Sequence, residues 1–131
     1  MTKTLFNITM ICGALAVGIG AFGAHGLKAL IAADQLQTFE TGVKYQFYHT
    51  FAMCFALVAT HIYNDKRFLR AAWLFFVGIL MFSGSLYLLA CKNIIPFDVR
   101  FAGPITPIGG AFFIAGWLYM AVIMNKTIGN K

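Results

Sequence analysis

Charged side chains are scarce: Lys, Arg, Asp and Glu make up 11% of the 131 residues, against roughly 25% in soluble globular domains. That scarcity excludes an ordinary water-facing surface. Acidic residues are scarcer still, four against ten basic ones, for a formal charge of +6. In a soluble protein this balance would point to nucleic acid. Here the basic residues fall in the gaps between apolar runs, where the positive-inside rule accounts for them, so no nucleic-acid partner is expected. Cysteine is limited to three residues. Cys12 and Cys54 lie inside apolar segments and only Cys91 falls near an aqueous boundary, which excludes a disulfide framework or a zinc spacing. There is no internal repeat and no low-complexity tract.

What the sequence has in abundance is apolar surface, 60% of residues, laid out as long runs. The spacing predicts a single all-α integral membrane domain over residues 1–131, an antiparallel bundle of four transmembrane helices. Leu5 to Ala24 is an apolar run of the ~20 residues that an α-helix needs to cross roughly 30 Å of hydrocarbon. Ala21-Phe22-Gly23 offers a small-x-small cleavage site, but the run exceeds the roughly 7–15 residues of a signal h-region, so a retained span is preferred. Cys12 as a lipoprotein cysteine is set aside, because Ile11 stands where a small residue would be expected.

Residues 26–41 are mixed, with Leu27, Leu30 and Ile31 against Lys28 and Asp34, and read as an interfacial segment. Asp34 followed by Gln37 resembles a capping box and predicts a second helix starting near Gln35. It continues to Tyr63, with its membrane part at about residues 42–63, so its first turns project into the headgroup layer. A tight basic turn, Asn64-Asp65-Lys66-Arg67, leads into a third span at 69–91 that lies antiparallel to the second. The connection from Lys92 to Pro104, with Pro96 and Gly103, is expected to stay non-helical. Thr106 then caps a fourth helix with Pro107 at its first position, spanning 107–124 and anchored at its far end by Trp117 and Tyr119.

Six basic residues (Lys3, Lys66, Arg67, Arg70, Lys126, Lys131) fall on the side of both termini and four (Lys28, Lys44, Lys92, Arg100) on the other. Both termini are therefore expected to be cytoplasmic, in a multi-pass protein of the plasma (inner) membrane. Small residues share helix faces: Gly13, Ala16, Gly20 and Ala24 in the first span, Gly78 and Ser85 in the third, Gly109 and Gly116 in the fourth. Such faces let backbones approach closely.

The candidate site is the stretch Phe39 to His49, where polar side chains enter an apolar segment. Gly42, Gln46, His49, Met53, Ala56 and Thr60 share one helical stripe, with Tyr45 beside it and Tyr48 turned away. Lipid cannot satisfy Gln46 or His49, so the stripe should face the bundle or a wet cavity near the outer boundary. Glu40 and Lys44, four apart, are spaced to pair with each other. The predicted topology brings His25 to a similar depth as His49. Two histidines with Glu40 as a third ligand suggest a proton relay or a metal. Histidines that tie helix ends together are the plainer account, and it is preferred: no metal, cofactor or catalytic residue is expected. Ser85, Tyr87 and Thr106 complete the polar cluster from the third and fourth spans. Ser83-Gly84-Ser85 is not a nucleophile elbow, and local backbone bonding accounts for it better. The glycine-rich start of the fourth helix suits an anion, although a close helix neighbour explains it as well.

The motifs Gly20 to Leu27, Phe39 to His49, Phe82 to Tyr87 and Gly103 to Gly110, in this order, resemble the YgdD-type family of small membrane proteins, a domain of unknown function (423) whose animal relatives are called transmembrane protein 256. The resemblance covers nearly the whole chain. It implies an integral four-helix membrane protein and supplies no activity. The expected function is accordingly a non-enzymatic membrane component that contacts membrane lipids, copies of itself or another membrane protein. A small transporter or channel using His25, Gln46 and His49 is the alternative, and a membrane enzyme or metal site is third.

Overall fold

The computed structural model describes residues 2–129. Helix α1 covers Thr2–Ala24, a single 3-10 turn covers Leu27–Ala29, and α2 runs from Ala33 to Tyr63. Next come α3 (Arg67–Gly78), a five-residue π turn (Ile79–Ser83) and α4 (Gly84–Ala90), which continue one another as a single rod, and finally α5 (Ala102–Gly129). No strand occurs among the described residues. Lys131, one of the six basic residues assigned to the cytoplasmic side, lies outside the described residues.

Three rods, residues 2–29, Arg67–Ala90 and Ala102–Gly129, are long and apolar enough to cross a membrane. The protein is thus a helical membrane protein with three such spans by length and composition. α2 is the longest helix at 31 residues, about 46 Å at 1.5 Å per residue, but is not among the three. Polar side chains such as Gln46 and His49 lower its mean hydropathy.

Two helix starts differ from the sequence expectation. α2 begins at Ala33 with Ala32 as its N-cap, and the side chain that reaches back to it is that of Gln35, whose Oε1 accepts the Ala32 N–H at 3.1 Å. Asp34 and Gln37 do not form the expected box. α5 begins at Ala102 instead of Pro107, so the connection is shorter than Lys92 to Pro104 and Thr106 lies inside the helix. The physical reason is that Pro104 occupies the third helical position, where its missing N–H would have had no intrahelical partner. Pro107 sits within the helix and removes one backbone bond there.

α2 packs against α1 and against the α3–α4 rod, and that rod packs against α5. α1 and α5 share no contact and stand on opposite flanks. Small residues set the approach. A methyl group on Gly20 would meet Val43, and one on Gly23 would sit 2.8 Å from the Phe39 ring. Between α3 and α5 the fit is reciprocal: Phe113 lies over Gly78 and Phe75 over Gly116. Phe68, Phe75, Met53 and Leu5 are fully buried where the helices meet. Phe51, Val58, Ile62, Ile114 and Leu118 point outward and are more than half exposed, as lipid-facing residues should be.

Candidate functional site

Gly42, Gln46, His49, Met53 and Ala56 are buried and Thr60 is half-buried, so the stripe turns into the bundle as its helical spacing predicts. Its polar groups are all bonded. Gln46 Nε2 donates to the Cys12 carbonyl of α1 at 2.8 Å, and the Tyr87 hydroxyl of α4 donates to Gln46 Oε1 at 2.7 Å. One side chain therefore links three helices. The Ser83 hydroxyl, at the end of the π turn, donates to the Gly42 carbonyl at 2.7 Å. Gly42 permits this approach, because a methyl there would lie 2.7 Å from Tyr87 Cε1.

His49 Nδ1 lies 2.7 Å from the Tyr45 carbonyl. A carbonyl can only accept, so Nδ1 carries the proton and Nε2 presents a lone pair. That lone pair receives the Trp117 indole N–H of α5 at 3.3 Å. The imidazole also stacks on Phe113, with centroids 3.4 Å apart and planes within 4°. A lateral cleft of about 530 Å³ opens beside it between α2 and α5, lined by Tyr45, Tyr48, His49, Phe82, Phe113 and Trp117. Above it, the Ser85 and Thr106 hydroxyls share a hydrogen bond of 2.6 Å between α4 and α5.

The structure separates residues that the sequence groups together. Gln46 meets Cys12, and His25 is 13 residues further along the chain, about 20 Å by helical rise. His25 therefore does not reach His49; it is exposed at the end of α1. Glu40 and Lys44 are also exposed and do not pair; the ion pairs among the described residues are Asp65–Arg67 and Asp98–Arg100. No group of three His, Cys, Asp or Glu that would hold a metal occurs among the described residues. Counted from Ala33, Gln46 and His49 are the 14th and 17th of the 31 residues of α2, so both lie at the middle of that helix, whereas Tyr87 and Thr106 reach the cluster from near the ends of their rods. Tyr48 faces outward, 57% exposed, as its position on the helix requires.

Ser83, Phe113 and Trp117 belong to the cluster and were not among the sequence candidates. Ser83 is legible from its spacing of four from Tyr87, which puts both on one face. Trp117 anchors to His49 instead of serving only as an interfacial residue; its partner depends on the register of α2 against α5, which no local pattern encodes. At the opposite end of the rods from His25, Asp65 accepts from the Arg67 backbone N–H and guanidinium and from the Thr127 hydroxyl of α5. The Arg67 guanidinium holds the Asp65 carboxyl down at about 2.

Apolar rods of spanning length, joined by buried hydrogen bonds and outwardly clad in Phe, Ile and Leu, define an integral membrane protein of the helical class. Within that class, the chain belongs to the family described as Protein of unknown function (DUF423), which it matches over residues 19–110. It is 40% identical over 127 residues to a UPF0382 membrane protein of Staphylococcus haemolyticus, covering 97% of this chain and 99% of the relative. It is likewise 40% identical over 127 residues to the UPF0382 membrane protein YwdK of Bacillus subtilis, covering 96% and 99%. To the UPF0382 inner membrane protein YgdD of Escherichia coli it is 37% identical over 121 residues, covering 92% and 88%. No solved structure matches the chain.

Proposed function

We propose that the chain is a four-span plasma-membrane protein with cytoplasmic termini, working by lateral association within the bilayer and carrying out no chemistry of its own. One observation carries this reading: the polar groups that would do chemistry are used in joining helices. Gln46, Tyr87, Ser83, His49, Ser85 and Thr106 each bond to a neighbouring helix. Among buried side-chain polar atoms of the described residues, Gln35 Nε2 is without a partner. α2 counts as a span here because it packs lengthwise between α1 and the α3–α4 rod. A helix sandwiched between two spans shares their depth, and its Gln46 and His49 are satisfied inside the bundle. The name of the E. coli relative, an inner membrane protein, supports the location. Reconstitution of the purified protein into nanodiscs, followed by cross-linking and mass analysis, tests the function. Self-association or a retained lipid or protein partner is expected, and a bare monomer would overturn it.

The lateral cleft beside His49 favours a second reading, a transporter with a site between α2 and α5. Proteoliposomes passing no ion or small solute across a range of pH would remove it.

A further inference from the structure

A second groove lies near the Asp65 end of the rods, on the outer face of α3 and α5. It measures about 430 Å³ and is lined by Arg70, Trp73, Leu74, Val77 and Tyr119. The four α3 residues are spaced three, one and three apart and so form a single strip along the helix. Arg70 is exposed at its mouth. The neighbouring Arg67 is committed to Asp65 at 2.7 Å, whereas Arg70 makes no ion pair among the described residues. Below it the strip becomes apolar, with Trp73, Leu74 and Val77 half-buried. A free guanidinium over an amphipathic ring and then an aliphatic wall is complementary to one molecule already present in any membrane.

We propose that this groove binds an anionic phospholipid, with the phosphate held by Arg70 and one acyl chain laid along Trp73, Leu74 and Val77 beside Tyr119. Guanidinium matches phosphate geometry with two parallel donors and is weakly hydrated, so it gives up water to a headgroup more readily than an ammonium does. Trp73 and Tyr119 present apolar ring bodies with polar edges, the preference that places such residues at the headgroup level. Lys66 lies nearby but outside the groove lining, so it adds only diffuse attraction to an anionic surface. The proposal rests on the chain being embedded in lipid and not on its mode of lateral association.

The test uses the full chain carrying Trp117→Phe, which leaves Trp73 as the only tryptophan of the two. The protein is reconstituted in phosphatidylcholine vesicles with increasing fractions of phosphatidylglycerol brominated on its acyl chains, which quenches an indole on contact. Brominated phosphatidylcholine is the comparison. Quenching by the anionic lipid is expected at about a fivefold lower fraction than by the zwitterionic one. Arg70→Gln should abolish that preference and Arg70→Lys should retain part of it, while Lys66→Gln leaves it unchanged. Native mass spectrometry of the unsubstituted chain, expected to retain phosphatidylglycerol over phosphatidylcholine, removes dependence on the Trp117 change. Equal quenching by both lipids, or equal loss in Lys66→Gln and Arg70→Gln, would overturn the site in favour of diffuse attraction. Inorganic phosphate blocking the quenching as effectively as unbrominated phosphatidylglycerol would overturn the lipid in favour of a free anion.

Discussion

Gln46 is the residue on which three helices meet, and its value comes from what its loss leaves behind. Gln46→Leu leaves the Tyr87 hydroxyl buried without its acceptor and breaks the link to the Cys12 carbonyl of α1, which costs more than the bond itself gains. Unfolding in mixed micelles should show a loss of about 1–2 kcal/mol. Tyr87→Phe removes the hydroxyl but leaves the buried Gln46 Oε1 without its donor, so a loss of about 1 kcal/mol is expected. The double variant should fall short of the sum, because the pair shares one hydrogen bond; strict additivity would separate the two side chains. At the opposite end, Asp65 gives a pH signature. Its folded pKa of about 2 lies below an unfolded value of ~3.9. Its contribution is therefore fully present above about pH 4 and is lost as pH falls toward 2. Asp65→Asn should flatten that acid limb while leaving stability between pH 5 and 8 independent of pH. An unchanged acid limb in Asp65→Asn would contradict the assignment.

At the scale of elements, the fold depends on where backbone meets ring. A methyl on Gly109 would run into the backbone N and Cα of Phe82 in the π turn, which cannot yield as a side chain does. Gly109→Ala should therefore cost about 1–3 kcal/mol by forcing α5 off the rod. At Gly84 and Gly18 a methyl meets nothing within 4 Å, so alanine there should be neutral or stabilising by up to ~1 kcal/mol through helix propensity. Thermal unfolding of the three alanine variants distinguishes close approach from incidental glycine. How much of this was legible also depends on scale. The buried stripe on α2 and the small-residue faces follow from a period of 3.6 and could be read directly. The start of α5 could not, because Pro104 stops a helix in the middle but suits its first turn, and composition alone does not distinguish the two. The depth of His25 was misplaced for a different reason: antiparallel register is set by how Gly23 seats Phe39 and Gly20 seats Val43, a tertiary fit. Trp117 follows the same logic.

At the scale of the whole molecule, the chain invests its few polar side chains in helix joints and leaves its outer surface apolar. Three rods are apolar enough to cross unaided. The remaining long helix, α2, is not among them and carries Gln46 and His49 because neighbours on both sides satisfy them. The proposed four-span topology therefore stands on α2, and sidedness of its two ends is its most direct test. In a cysteine-free background, Lys28→Cys and Lys66→Cys place single thiols just before and just after α2, both at exposed positions. Treated with a membrane-impermeant maleimide in right-side-out vesicles, Lys28→Cys should react at once and Lys66→Cys only after permeabilisation. Labelling of both positions from the same side would contradict the crossing of α2, and with it the four-span account.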